Sequence, residues 1–151
     1  MPTNKRIQFT IDIDAPVPVV FRIMLDHESY KDWTTAFAEG SYYVGCWQQG
    51  QKIKFMAPSG DGMVSEIAEH RVNEFTSIRH LGYISKGVED TQSESIRAWA
   101  PAYETYAFAD APGGCTLTVT VDTLPEYEDY MRKTFPEALS LLKALCEKAA
   151  R

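Results

Sequence analysis

Toward the C-terminus, apolar side chains recur at three- and four-residue steps: Tyr127, Met131, Phe135, Ala138, Leu142, Leu145 and Ala149. This spacing predicts one long amphipathic helix with a single apolar face. From Ser41 to Leu124 the pattern is that of strands and turns instead. A long helix that follows a run of strands buries its face most simply by lying across one side of an antiparallel sheet. Pro136 falls inside the helix and predicts a kink or a restart near Thr134.

The strands are read from alternation. "RIQFTIDID" places Ile7, Phe9, Ile11 and Ile13 on one face and Arg6, Gln8, Thr10 and Asp12 on the other. "APVPVVFRIMLD" follows as a short helix, with Pro16 and Pro18 suited to its start, and "HESYKDWTTAF" as a second short helix or turn. "SYYVGCW" and "KIKFMA" flank a turn at Gly50, and "PSGDG" marks another. "MVSEIAEHRV" and "TSIRHLGYI" flank Asn73-Glu74, "SKGVEDTQSES" reads as an exposed loop, and "AYETYAFAD" turns at "APGG" into "CTLTVTVDTL". In that last strand Leu117, Val119 and Val121 face one way and the intervening threonines the other. The expected architecture is α+β. A curved antiparallel sheet of six to seven strands surrounds the C-terminal helix, with two short helices after the first strand.

Composition narrows the function. At 151 residues the chain is expected to form one domain, 1–151. A net charge of −6 without any basic run argues against nucleic acid, whose phosphates need Lys and Arg. No apolar run is long enough to span a bilayer, and "MPTNKRIQFTIDI" lacks a secretory segment, so a cytoplasmic location is expected. Cys46, Cys115 and Cys146 are an odd count without C-x-x-C spacing, which points to reduced packing thiols. No metal and no cofactor are expected: no ligand spacing such as H-x-x-x-H occurs.

The densest run of titratable side chains is "GDGMVSEIAEHRVNEFTSIRHLGYI", Gly60 to Ile84, with His70, His80, Glu66, Glu69 and Arg79. Register decides what it can do. A two-residue loop at Asn73-Glu74 pairs Val72 with Phe75 and His70 with Ser77, and sends the two histidines to opposite faces. A three-residue loop or a bulge brings them to one face. The two-residue loop is the expectation, with Ile78 and His80 inward and Ser77 and Arg79 outward. Glu66, Glu69, Asp61 and Asp90 are then solvated charges. With no G-x-S-x-G and no cysteine in a basic setting, no catalytic residue is assigned.

The aromatics carry the stronger signal. Trp33, Phe37, Trp47, Phe55, Trp99, Tyr103 and Tyr106 cluster around the strands, and Met63, Met131 and Phe135 add pliable walls. With Ile78 and His80 they form the expected lining of an apolar cavity with a few polar handles. The expected partner is a small hydrophobic or amphipathic molecule, oriented by His80 and by Tyr103 or Tyr106.

The order of elements, carried by "IDAPVPVVFRIMLD", Trp33, "GQKIKFM", "GDGMVSEI", "NEFTSIRHLG", "GGCTLTVTVD" and "FPEALSLLKALCEKA", resembles the START-like superfamily, also called helix-grip or SRPBCC. Within it the chain is most similar to homologues of the activator of the heat-shock protein 90 ATPase. Phe135 stands where that family usually has Trp, and "KGVEDTQSESIRAWAPAYETY" departs from its pattern. The resemblance implies a helix-grip fold with ligand binding between sheet and helix. It also allows a cavity enzyme of the aromatase/cyclase or hydratase kind, and its name implies a chaperone-associated protein-binding module.

Overall fold

The computed structural model describes residues 4–151. Its first strand, β1 (Lys5–Ile13), buries Ile7 and Ile13 and half-buries Phe9 and Ile11, while Arg6, Gln8, Thr10 and Asp12 face solvent. Helix α1 (Val17–Leu25) begins after Pro16 and has Pro18 in its first turn, where a missing N–H breaks no intrahelical bond. Asp26 ends α1 and starts α2 (His27–Trp33), its Oδ2 accepting from the N–H groups of Glu28 (3.2 Å) and Ser29 (3.5 Å).

Strands β2 (Tyr42–Gly45), β3 (Lys52–Met56), β4 (Gly62–Arg71) and β5 (Phe75–Ser85) follow. The stretch expected as an exposed loop holds a three-residue strand, β6 (Val88–Asp90), and the start of one helical turn, α3 (Glu94–Arg97). Then come β7 (Ala102–Ala111), β8 (Gly114–Thr123) and α4 (Glu128–Ala149). The strands form one open sheet in the order β1-β8-β7-β5-β4-β3-β2, antiparallel throughout. Strand β6 lies off this path. It pairs with the end of β5 that β7 does not reach.

Helix α4 lies across the inner face, burying Thr134, Phe135, Ala138, Leu139, Leu142 and Cys146. Phe135 stacks on Phe9 of β1 at 5.1 Å between ring centroids. The expected restart near Thr134 does not occur. The helix runs through Pro136, which is exposed on its outer side, and Tyr127 falls in a separate short turn before it. Cys115 and Cys146 are buried free thiols, and burial, with Cys115 adding, pushes Cys146 up to about 12, as an inert packing residue. Among the described residues no helix is long and apolar enough to cross a membrane.

The β4–β5 hairpin corrects the expected register. Arg71, not Val72, pairs with Phe75, so the loop has three residues, Val72 to Glu74, with Asn73 in the left-handed region at φ 63°. Asn tolerates that conformation better than most residues. His70 consequently pairs with Thr76 and shares a face with Ile78 and His80. A further irregularity between Ile67 and Glu69 lets Ile67 pair with Ile78, and Ser65 pairs with His80. Both histidines point to the inner face. They do not form one site. His70 packs against Phe21 of α1 (5.4 Å between centroids), while His80 lies between Phe55 and Trp99.

Candidate functional site

Between α4 and the sheet lies a cavity of about 340 Å³, within the range of small-molecule sites. Each wall comes from an element whose apolar side is turned inward. Tyr30 and Trp33 of α2, with Phe37 just after it, form one wall; Trp33 is fixed by its indole N–H, which donates to the Met24 carbonyl at 3.0 Å. The sheet contributes Phe55, Met63, Ile78 and Tyr106 by strand alternation, and α4 contributes Met131 and Phe135 one turn apart. Trp47, after β2, sits edge-on to Tyr43 at 5.5 Å. Its indole N–H is buried beside the Tyr43 hydroxyl. Asp61, in the turn before β4, and Tyr130 of α4 are exposed members of the lining.

One wall is polar, and its centre is Glu104. Glu104 pairs across the strands with Ile78, so its carboxylate faces inward, where the side chain stays 18% exposed. Oε2 accepts the Tyr106 hydroxyl proton, and Oε1 accepts from His80 Nε2 at 2.9 Å. His80 is buried, and its Nδ1 lies 2.7 Å from Ser65 Oγ. With Glu104 as a carboxylate the Nε2 atom carries a proton; a neutral His80 ring then accepts the Ser65 hydroxyl proton at Nδ1. Burial, with Glu104 adding, pushes the Tyr106 hydroxyl well up, and Tyr30 is pushed up by burial, Glu104 and Tyr43. Both remain neutral hydroxyls.

This chain of contacts has the members of a Ser–His–carboxylate triad without its geometry. Ser65 is fully buried and does not line the cavity, so no substrate reaches its oxygen. Among the described residues no three His, Cys, Asp or Glu side chains group as a metal site requires.

Nine of the residues expected at a cavity line this one: Trp33, Phe37, Trp47, Phe55, Met63, Ile78, Tyr106, Met131 and Phe135. Three do not. Tyr103 stands on the outer face, where its hydroxyl accepts from Arg79 Nε at 2.9 Å and Arg79 also pairs with Glu66. Tyr103 and Tyr106 are an odd number of residues apart, so a regular strand cannot turn both inward. His80 faces inward but lies behind Glu104, and Trp99 stacks on it from the far side at 5.6 Å. Glu104 and Tyr30 were not among the expected residues. The signal for Glu104 is its phase: it shares the parity of Ala102, Tyr106 and Phe108, the buried side of β7.

The model of the family described as activator of Hsp90 ATPase homolog 1-like protein matches residues 14–147. No curated protein matches the chain. Solved structures similar to it include protein MLL2253 from Mesorhizobium loti, at 13% identity and a TM-score of 0.74, covering 95% of this chain and 98% of that one. The Aha1 dimer from Colwellia psychrerythraea aligns at 17% identity and a TM-score of 0.67, covering 97% of this chain and 94% of that one. DynU16, from the dynemicin biosynthetic locus, aligns at 13% identity and a TM-score of 0.69, covering 96% of this chain but 48% of its own. At these identities the likeness shows the fold.

Proposed function

Because the chain belongs to the activator of Hsp90 ATPase homolog 1-like family, with its helix laid across an open sheet, we propose that it binds a small hydrophobic or amphipathic molecule between the two. The observation that carries this reading is the cavity of about 340 Å³, walled mainly by aromatic and aliphatic side chains and polar at one wall. Burying apolar ligand surface there contributes roughly 25 cal/mol per Å². The free thiols Cys115 and Cys146 suit residence in the cytoplasm.

A bound ligand stabilises the folded state by linkage, about 2.7 kcal/mol at a hundred times Kd, which raises Tm by several degrees. A thermal-shift panel of neutral apolar and amphipathic compounds is expected to contain such ligands. Met63→Trp, which fills the cavity from a half-buried wall position, should remove the shift. The reading fails if no compound in the panel moves Tm.

A second reading, an enzyme of the aromatase/cyclase or hydratase kind, draws on Glu104. A carboxylate that faces a cavity and is backed by an imidazole has the arrangement of a general base, and the neighbour DynU16 comes from a biosynthetic locus. Mass spectrometry of ligand recovered after incubation separates the two readings: unchanged ligand means binding, altered ligand means catalysis. The protein-binding reading draws on the family's name alone.

A further inference from the structure

Resting on the reading of the cavity as a binding site, we infer that its ligand presents an uncharged or cationic hydrogen-bond donor, an alcohol, phenol or amine, to Glu104, and that anionic amphiphiles are rejected. The charged side chains lining the cavity are Glu104 and Asp61; no Lys, Arg or His lines it among the described residues. An anionic head group therefore finds no counter-ion on the lining and meets like charge at Glu104, whose side chain is mostly buried, which disfavours its binding.

The donors at the polar wall are already committed. The Tyr106 O–H and the His80 Nε2–H both point at Glu104, and the other His80 nitrogen is engaged by Ser65. A carboxylate has about four acceptor positions, so each Glu104 oxygen keeps one for a donor from the cavity. His80 stands behind Glu104, held between Phe55 and Trp99, and as a neutral ring it brings no positive charge to the wall. The Tyr30 hydroxyl and the Trp47 indole also stand at the lining. They suit the lone pair of a hydroxyl oxygen but neutralise no charge. The same hydroxyl can therefore donate to Glu104 and accept from one of them.

A matched series tests this by isothermal titration calorimetry at neutral pH: para-pentylphenol, para-pentylbenzylamine and para-pentylbenzoate. The phenol and the amine should bind at least about tenfold more tightly than the benzoate. Glu104→Gln, which keeps side-chain volume and an acceptor for Tyr106, should bring the benzoate to within about threefold of the phenol. Benzoate binding to the unmodified protein as tightly as phenol overturns the inference and leaves the cavity reading standing. Binding of none of the three overturns the cavity reading and this inference with it. The ranking in the unmodified protein decides the matter even if the Glu104 variant does not fold.

Discussion

Phe21 covers the His70 ring, and Thr76 Oγ1 lies 2.6 Å from its Nδ1. Burial there disfavours the imidazolium and lowers the His70 pKa below its ordinary 6.5. In the unfolded chain His70 takes up its proton first as pH falls. Between the two pKa values the unfolded state holds more protons, so stability rises with pH in that window and is lost on acidification. The surface carboxylates Glu89, Glu128 and Glu147, the last two half-buried, behave differently. Lysine, arginine and backbone partners lower them below 4.5, so the stability they contribute is lost only in more acid solution. Urea denaturation from about pH 7 down to about pH 5.5 therefore leaves these carboxylates out, and comparison with a His70 variant singles out that imidazole. The expected result is falling stability in the parent chain and a flatter profile in His70→Asn. Equal slopes in the two would discard the assignment.

Helix α4 holds its place by its buried stripe, not by its local sequence. Pro136 removes the N–H that would bond to the Arg132 carbonyl one turn earlier, yet the helix continues, because Phe135, Ala138, Leu139 and Leu142 are buried on either side of the fault. Pro136→Ala restores the bond at an exposed position and should stabilise the protein by about 1–2 kcal/mol in urea denaturation; no gain would mean that the proline is compensated elsewhere. Elements were legible in the sequence wherever one face is dry and the other wet. Strand β8 alternates throughout and β1 from Arg6 onward, and the C-terminal helix shows its stripe. The parity of the β4–β5 hairpin was not legible, because it turns on whether Asn73 adopts φ > 0 and adds a third loop residue. Bulges near Val64 and Ile67 shift it again, and neither has a sequence signature. Glu104 was legible only in phase. Alternation turns it inward, but nothing local says that His80 and Tyr106 meet it there.

Across the whole molecule the sheet separates two kinds of chemistry. The inner face holds the core and the cavity. The outer face carries a polar chain across five strands: Arg6 with Asp122 (2.9 Å), Asp122 accepting from the Tyr103 N–H (3.0 Å), Tyr103 with Arg79, and Arg79 with Glu66. Its side chains are partly solvated, and such pairs contribute little each, about 0–1 kcal/mol. Arg79→Gln should lower stability by no more than about 1 kcal/mol and leave the affinity of a cavity ligand unchanged within about twofold, measured by titration calorimetry. A larger loss of affinity would mean that the two faces are coupled. Nine of the twelve expected cavity positions line it because bulky apolar residues in phase on neighbouring strands have one inner face to share. The other three needed register or depth that the sequence does not state. The strands are thus tied together on the side away from the cavity, so mutation can redraft the interior without unpicking the outer contacts. Among descendants of such a chain, lineages could exchange Glu104, Met63 or Met131 while inheriting the same outer seam, so that the chemistry of the cavity drifts faster than the shape around it.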